Sequence, residues 1–388
     1  MDFCNIPINR TEIPQSDLNI DIRTRTNLFS WNGQFSPQFV EAELSNYADE
    51  NYIVVDPFAG SGTTMCEAAR KNMTAYGIEL NPSAYHMAKT YELVTLDFVE
   101  RNDLIMSVDN LIKRIAGNDD IMSKLTGLLE NEKNDNIKNV ISTLIVLMDI
   151  FKNEVNIDLL NNKWEKLQNT IVDLPVSRKP VSVFNGDARE IPLKSNEVDI
   201  LLTSPPYINV FNYHQNYRRS VEALGYDVLN IAKSEFGSNR KHRGNRFLTV
   251  IQYCIDMALS LKEAIRICKP EARMIYVVGR ESTVLGYSFC NSELIFRIAT
   301  EVFGIDFDIR QERVFKNRYG QMIYEDILHF LNKEVAFDAD NVIQEKAREL
   351  AVEMLLDRHH AMPSNKNADV LMEAVQKANK VNTSEVVL

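Results

Sequence analysis

At 388 residues, with 45% hydrophobic and 25% charged side chains, the chain has room for one large α/β domain with additions or for two domains, and it can bury a well-packed core. Its formal net charge of -11 argues against a simple basic nucleic-acid coat protein. It does not exclude a nucleic-acid enzyme, whose contacts need only a local basic surface. The five cysteines (Cys4, Cys66, Cys254, Cys268 and Cys290) show neither CxxC pairing nor metal-ligand spacing. They read as small buried hydrophobes in a reducing cytoplasm, with no metal expected. No basic region followed by an apolar run opens the sequence, and its most apolar window, residues 140–151, is too short to span a bilayer. Neither a signal peptide nor a membrane partner is therefore expected.

Residues 1–25 carry Pro7, Pro14 and many polar side chains and are predicted to form an irregular arm. The next stretch, 29–35, is aromatic and either covers a ligand or packs. Ser36 as N-cap and Pro37 in the first turn predict a helix to about residue 48. A short apolar strand over 52–55 then runs into Asp56-Pro57-Phe58-Ala59-Gly60-Ser61-Gly62-Thr63-Thr64 and a helix. Two glycines let this loop turn tightly and approach a ligand closely. It is neither GxGxxG nor a Walker loop, since no lysine follows Gly62. An acid at its start disfavours phosphate and suits a cationic amino-acid moiety. A second strand, 74–79, ends at Glu79. The separation from Asp56 is close to the roughly 20 residues at which Rossmann-like folds place a ribose-binding carboxylate; the alternative is a solvated strand-end acid.

Residues 93–179 break the strand–helix rhythm. Apolar residues at helical spacing, separated by Asn, Asp and Lys, predict a helical insertion that packs against the sheet or shapes one wall of a site. Target recognition is the lesser alternative. A third strand, 180–184, ends at Asn185-Gly186-Asp187, where Asp187 either accepts a bond from an adenine amine or only shapes a turn. The fourth strand leads into Thr203-Ser204-Pro205-Pro206-Tyr207. The two prolines stiffen this corner at the strand's carboxyl end, where open α/β sheets bind ligands. A flat heteroaromatic amine suits it: the ring stacks on Tyr207, and the amine hydrogens bond to the Ser204 hydroxyl and the Pro205 carbonyl. An ordinary strand-end turn is the competing reading.

Residues 209–246 are polar and aromatic, with a local charge opposite to that of the whole chain. Arg218, Arg219, Arg240, Lys241 and Arg243 are candidate phosphate contacts, against a merely solvated loop. A long helix over 247–268, a fifth strand over 272–278, a helix over 291–303 and a hairpin of strands 306–315 and 323–331 complete a mainly parallel sheet with one reversed strand. A helix near 342–356 precedes Pro363, Ser364 and an Asn-rich, mobile end.

The Asp56 loop together with Thr203-Ser204-Pro205-Pro206-Tyr207, in this order and on these strands, resembles the amino-methylating DNA methyltransferases, which modify cytosine N4 or adenine N6. The resemblance covers about residues 25–92 and 181–332. It implies a Rossmann-like methyltransferase fold with a mainly parallel seven-stranded sheet and a reversed last strand, plus the helical insertion. The implied division is an N-terminal arm with the first part of the methyltransferase domain (1–92), the insertion (93–179), the second part (180–335) and a helical, partly mobile tail (336–388). It also implies S-adenosylmethionine as cofactor and duplex DNA as partner. By the same resemblance Asp56, Phe58, Gly60, Ser61 and Gly62 match the cofactor loop, Glu79 the ribose acid and Asp187 the adenine contact. Ser204, Pro205, Pro206 and Tyr207 match the catalytic motif, and residues 29–35 the segment around the cofactor's methionine end.

A serine at the first catalytic position is the form associated with cytosine N4, whereas adenine N6 enzymes mostly carry Asp or Asn. The implied reaction is direct methyl transfer to a cytosine amine in duplex DNA, with the base extruded at a cost of roughly a few kcal/mol. A restriction-modification role is implied by analogy, with any endonuclease a separate protein because this chain carries no nuclease motif. Adenine N6 methylation is the nearest alternative, then RNA base methylation and a non-catalytic nucleic-acid-binding module.

Overall fold

The computed structural model describes residues 3–115, 120–208, 213–237, 241–242, 244–317 and 320–388. In chain order its strands are β1 (Ile53–Asp56), β2 (Thr74–Glu79), β3 (Val181–Asn185), β4 (Val198–Thr203), β5 (Cys268–Gly279), β6 (Glu281–Val284), β7 (Tyr287–Cys290), β8 (Asp306–Lys316) and β9 (Met322–Leu331). Seven of them form one sheet in the order β3-β2-β1-β4-β5-β9-β8. The first five pair in parallel, and β9 runs antiparallel between β5 and β8. This is the expected mainly parallel seven-stranded sheet with a reversed last strand.

The central strands are near-continuous apolar runs because both faces of the sheet are covered. Alternate residues enter opposite cores: Val55 and Leu201 face one, Val54, Ile200 and Leu202 the other. Each such burial contributes roughly 1.5–3 kcal/mol. Helices Phe247–Ile267, Asn291–Arg297 and Asp340–Ala361 cover the first face. Helices Pro37–Tyr47, Thr63–Arg70 and Pro82–Lys89, with the insertion, cover the second. Among the described residues no helix is long and apolar enough to cross a membrane.

The insertion comprises helices Phe98–Ile115, Ile121–Asn131, Asp135–Met148 and Ile157–Asp173. The Asn and Asp residues that separate them in sequence are their N-caps: Asp120, Asn134 and Asn156 each accept from a backbone N–H of the first turn. Its two ends meet. Ser177 N donates to Val94 O at 2.8 Å, and the buried Arg101 donates to the carbonyls of Val94, Leu174 and Pro175.

Three regions differ from the sequence expectation. The hairpin β6–β7 is absent from it, because the turn places Leu285 and Gly286 at φ 49° and 86°, and a leucine is not a turn residue by composition. The arm before residue 25 is not merely irregular: it contains the short helix Gln15–Asn19, and Ile8 bridges Arg310 in parallel, covering the outer edge of β8. The Asn-rich end is docked. Asn365 and Asn367 donate to the β6–β7 turn carbonyls of Gly286 and Leu285, and helix Ala368–Gln376 buries Leu371 and Ala374. The asparagines read as loop composition, but they serve as partners for a distant turn.

Glu43, on helix Pro37–Tyr47, is fully buried between that helix and the sheet, and neither carboxyl oxygen has a hydrogen-bond partner. Burial pushes its acid up to about 8. His329 on β9 lies 3.9 Å away and is held well below the usual histidine range, also by burial. An acid raised on folding contributes stability that is fully present below its unfolded value and lost as pH rises through the folded one. The contribution of Glu43 is therefore expected to fall between about pH 5 and 8, whereas neutral buried His329 acts in the opposite sense below about pH 6.5, so the difference between chains is the readout: Glu43→Gln is expected to melt several degrees higher than wild type at pH 8 but not at pH 5. Parallel melting curves for the two chains across that range, in thermal scans, would contradict this.

Candidate active site

The strand order reverses between β1 and β4: the chain proceeds from β1 to β2 on one side, and β4 lies on the other. Ligands of open α/β sheets sit at such a switch point, outside the carboxyl ends. The two tips there are the glycine loop after β1 and the Ser-Pro-Pro-Tyr corner after β4. One buried carboxylate joins them. Asp56 accepts from Thr203 Oγ1 at 2.6 Å, Thr64 Oγ1 at 2.7 Å and Phe58 N at 3.1 Å. Burial raises its acid to about 6, against the pull of these bonds.

Glu79 closes the loop from the side. Its carboxylate accepts from Gly60 N and Asn81 N, both at 2.7 Å, and burial pushes it up to about 8. Gly60 and Gly62 both take positive φ, 54° and 89°, but they serve different ends. A Cβ on Gly60 would lie 3.4 Å from the Trp31 ring, whereas on Gly62 it would lie 2.7 Å from the Tyr91 ring and 2.9 Å from the Ala88 backbone. Ser61 donates to Gln34 Oε1 at 2.6 Å. Thus Asp56, Phe58, Gly60, Glu79 and Asp187 line a first cavity, while Ser61 and Gly62 do not. Ser61 anchors the aromatic segment, and Gly62 admits the neighbouring chain.

The wall of this cavity carries four carboxylates (Asp56, Glu79, Asp187 and Glu235) and, among the described residues, neither lysine nor arginine. Glu235 and Asp187 each have a basic partner, the first on the wall and the second behind it. Glu235 meets His214 N and Nδ1, both at 2.9 Å. Asp187 pairs with Arg189 through both oxygens. Arg189 Nη1 reaches on to Asp256 at 3.0 Å, Thr383 Oγ1 at 2.9 Å and Ser384 O at 2.8 Å. Sequence reasoning missed Glu235, Phe236 and the Arg189 clasp. Val228, Ile231 and Phe236, three of the apolar residues within the polar stretch 209–246, were the available signal. That stretch is not a plain loop: its described part forms helices Arg218–Ala223 and Val228–Ile231, and the second of these lies on the cavity wall.

The proline corner is pinned from behind. Tyr253 Oη donates to Pro206 O at 2.7 Å, and Ile208 N donates to Asn291 Oδ1 at 3.3 Å. Ser204 and Pro206 face the first cavity; Ser204, Pro205 and Tyr207 face a second. The Tyr207 ring lies against Gly279, where a Cβ would stand 2.6 Å from it, and its phenol donates to Glu325 Oε1 at 3.3 Å. Gly33, Gln34, Phe35, Ser204 and Tyr213 line both cavities, so the two spaces adjoin.

The candidate phosphate contacts are scattered. Arg218 is tied to Glu222 at 2.7 Å, Arg219 is exposed and stacks over Phe151 of the insertion, and Lys241 is exposed. Arg240 and Arg243 lie outside the described residues. Among the described residues no group of three His, Cys, Asp or Glu side chains is placed to hold a metal ion.

The contrast between the two loop glycines is testable. Gly62→Ala forces a Cβ into backbone and ring atoms at positive φ and is expected to cost about 1–3 kcal/mol or more in urea unfolding. Gly127→Ala, in open space within helix Ile121–Asn131, is expected to stabilise by about 0.5–1 kcal/mol. Equal effects at the two positions would remove the packing role given to Gly62.

Comparison with known proteins adds a family. Residues 11–90 match the family model described as DNA methylase. Among curated proteins, the Type II methyltransferase M.MjaII of Methanocaldococcus jannaschii is 27% identical over 103 residues, 26% of this chain and 19% of the relative. Among solved structures, an S-adenosylmethionine-dependent methyltransferase of Methanosarcina mazei aligns at TM-score 0.36 and 10% identity, covering 75% of this chain and 97% of that one. TrmN of Thermus thermophilus aligns at 0.35 and 13%, covering 78% and 50%. Neither structural likeness is close enough to add to the fold assignment, which rests on the strand order itself. The family-model match spans the glycine loop, and with the curated match it supports a likeness to the amino-methylating DNA methyltransferases.

Proposed function

We propose that this chain transfers a methyl group from S-adenosylmethionine to the N4 amine of a cytosine extruded from duplex DNA. The observation that carries the reading is the junction of an acid-lined cavity with an aromatic one at Ser204. S-adenosylmethionine would supply a methyl on positively charged sulfur. The first cavity fits such a ligand: Asp56 and Glu79, both raised by burial, have no lysine or arginine beside them on the wall among the described residues, and a cationic ligand lowers the cost of ionising them. Glu79, oriented by Gly60 N and Asn81 N, suits a ribose diol. Phe58 and Phe236, in edge contact at 5.3 Å, offer an apolar slot for adenine beside Asp187.

Ser204 and the Pro205 carbonyl would accept the two amine hydrogens, and those bonds strengthen as the amine nitrogen gains positive character. Tyr207 would hold the ring by stacking, worth on the order of 1–3 kcal/mol. Positioning of two bound reactants then supplies most of the rate. The choice of cytosine rests on Ser204, and adenine N6 is the alternative on the same scaffold. DNA is proposed as substrate from the family match, and Arg219 and Lys241 as phosphate contacts. A cytoplasmic restriction-modification role with a separate endonuclease completes the proposal by analogy.

Mass spectrometry of nucleosides from DNA treated with the chain is expected to show N4-methylcytosine. N6-methyladenine alone would move the assignment to adenine, and no modified base on diverse DNAs would end it. Ser204→Ala is expected to lower turnover at least about tenfold with cofactor affinity unchanged by calorimetry. An equal loss of affinity would make Ser204 structural.

Glu79 also predicts proton linkage. Free, its acid is raised to about 8; bound to a cation, it falls. Cofactor binding at pH 7 should release protons, and affinity should rise with pH toward 8. Calorimetry in buffers of different ionisation enthalpy reads this directly. Glu79→Gln should abolish the release, and a wild type that releases no proton contradicts the assignment.

A further inference from the structure

Arg313 on β8 and Glu325 on β9 face each other in the antiparallel register. Both line the second cavity together with Ser204, Pro205 and Tyr207. They form an incomplete pair: Arg313 Nη1 and Glu325 Oε2 are 3.5 Å apart, and neither Arg313 Nε nor Glu325 Oε2 makes a hydrogen bond. Arg313 is only 7% exposed, and among the described residues its side chain makes a single long hydrogen bond, Nη2 to Ser36 Oγ at 3.3 Å. A guanidinium has five N–H donors, so most of them lack an acceptor among the described residues. Its plane is fixed nonetheless, because the Phe39 and Phe315 rings lie 5.0 and 4.7 Å from its central carbon. Glu325 is tied to the proline corner by the Tyr207 phenol.

A buried cation this poorly bonded is costly on its own. A cavity occupant that presents acceptors at its edge recovers that cost. The cavity also carries Arg23, Lys316 and Asp21, so its overall charge does not exclude a phosphate; at Arg313 itself the adjoining Glu325 carboxylate disfavours one and leaves room for the neutral edge of a base. When its amine is seated at Ser204, cytosine presents two adjacent acceptors on the same edge, N3 and O2, matching the fork of an arginine. Adenine presents N1 and then a C–H. We propose that Arg313, oriented by Glu325, is a specificity-determining residue that donates to the N3 and O2 edge of the target cytosine. The inference rests on reading the second cavity as the base pocket.

The test compares full-length wild type with Arg313→Met and Arg313→Lys; the lysine keeps the charge and loses the planar fork. Cofactor affinity by calorimetry should stay within about twofold. The kcat/KM for N4-methylcytosine should fall about tenfold or more, as for loss of a bidentate base contact, and the ratio of N4-methylcytosine to N6-methyladenine should fall with it. The slope of log Kd for DNA against log salt should not change, because no phosphate contact is lost. A flattened slope would make Arg313 a phosphate ligand, a matching loss of cofactor affinity would make it structural, and wild-type rates with a wild-type product ratio would leave it without a role; each overturns the inference. If wild type yields N4-methylcytosine and the variants are indifferent, only this inference falls. If wild type yields none, the functional reading and the inference fall together.

Discussion

The architecture turns on one almost fully buried carboxylate. Asp56 ends β1, is 2% exposed, and binds the hydroxyl that ends β4 and the hydroxyl that begins the next helix. Removing such a group from water is costly unless its oxygens are bonded, and here three donors meet them. The geometry is then over-determined. The two tips cannot separate without stranding a buried acid, so the spacing of glycine loop and proline corner is a property of the core rather than of mobile loops.

Around that joint the walls come from remote parts of the chain. Residues 31–35 arrive from the N-terminal side and are locked by Gln34, which accepts from Ser61. The 213–237 stretch supplies His214, Glu235 and Phe236. Thr383 and Ser384 hold Arg189, which in turn fixes Asp187. The net charge of -11 has a local counterpart in this acid-lined hollow, on whose wall no lysine or arginine lies among the described residues.

This division explains what the sequence could reveal. The strand tips were legible because a buried parallel strand is an unbroken apolar run, and the chain must turn where that run ends: Gly60 and Pro205 stand at those points. The insertion was legible from its helical spacing; that Asp120, Asn134 and Asn156 between the runs cap its helices came only with the structure. The walls were not, since a pair such as Arg189 with Ser384 is 195 residues apart and leaves no local period. The charges after residue 209 suggested a surface facing phosphates. Half of that meaning lay in the apolar residues Val228, Ile231 and Phe236, which line the hollow. The loop glycines looked alike, yet Gly62 answers to Tyr91, a residue whose position only the fold supplies.

The neck of the insertion has a further consequence. Val94 and Ser177 are joined by a direct backbone bond, and the strands on either side of the excursion, β2 and β3, are hydrogen-bonded neighbours in full register. Nothing in the sheet depends on how many residues lie between those two points. The helical layer can lengthen, shrink or be exchanged with no change in strand order, provided that something still shields the outer side of helix Pro82–Lys89, where Asn139 and Thr143 now bond its carbonyls. That makes the neck a natural graft point, at which one peripheral layer could replace another while the acid-lined hollow stays as it is.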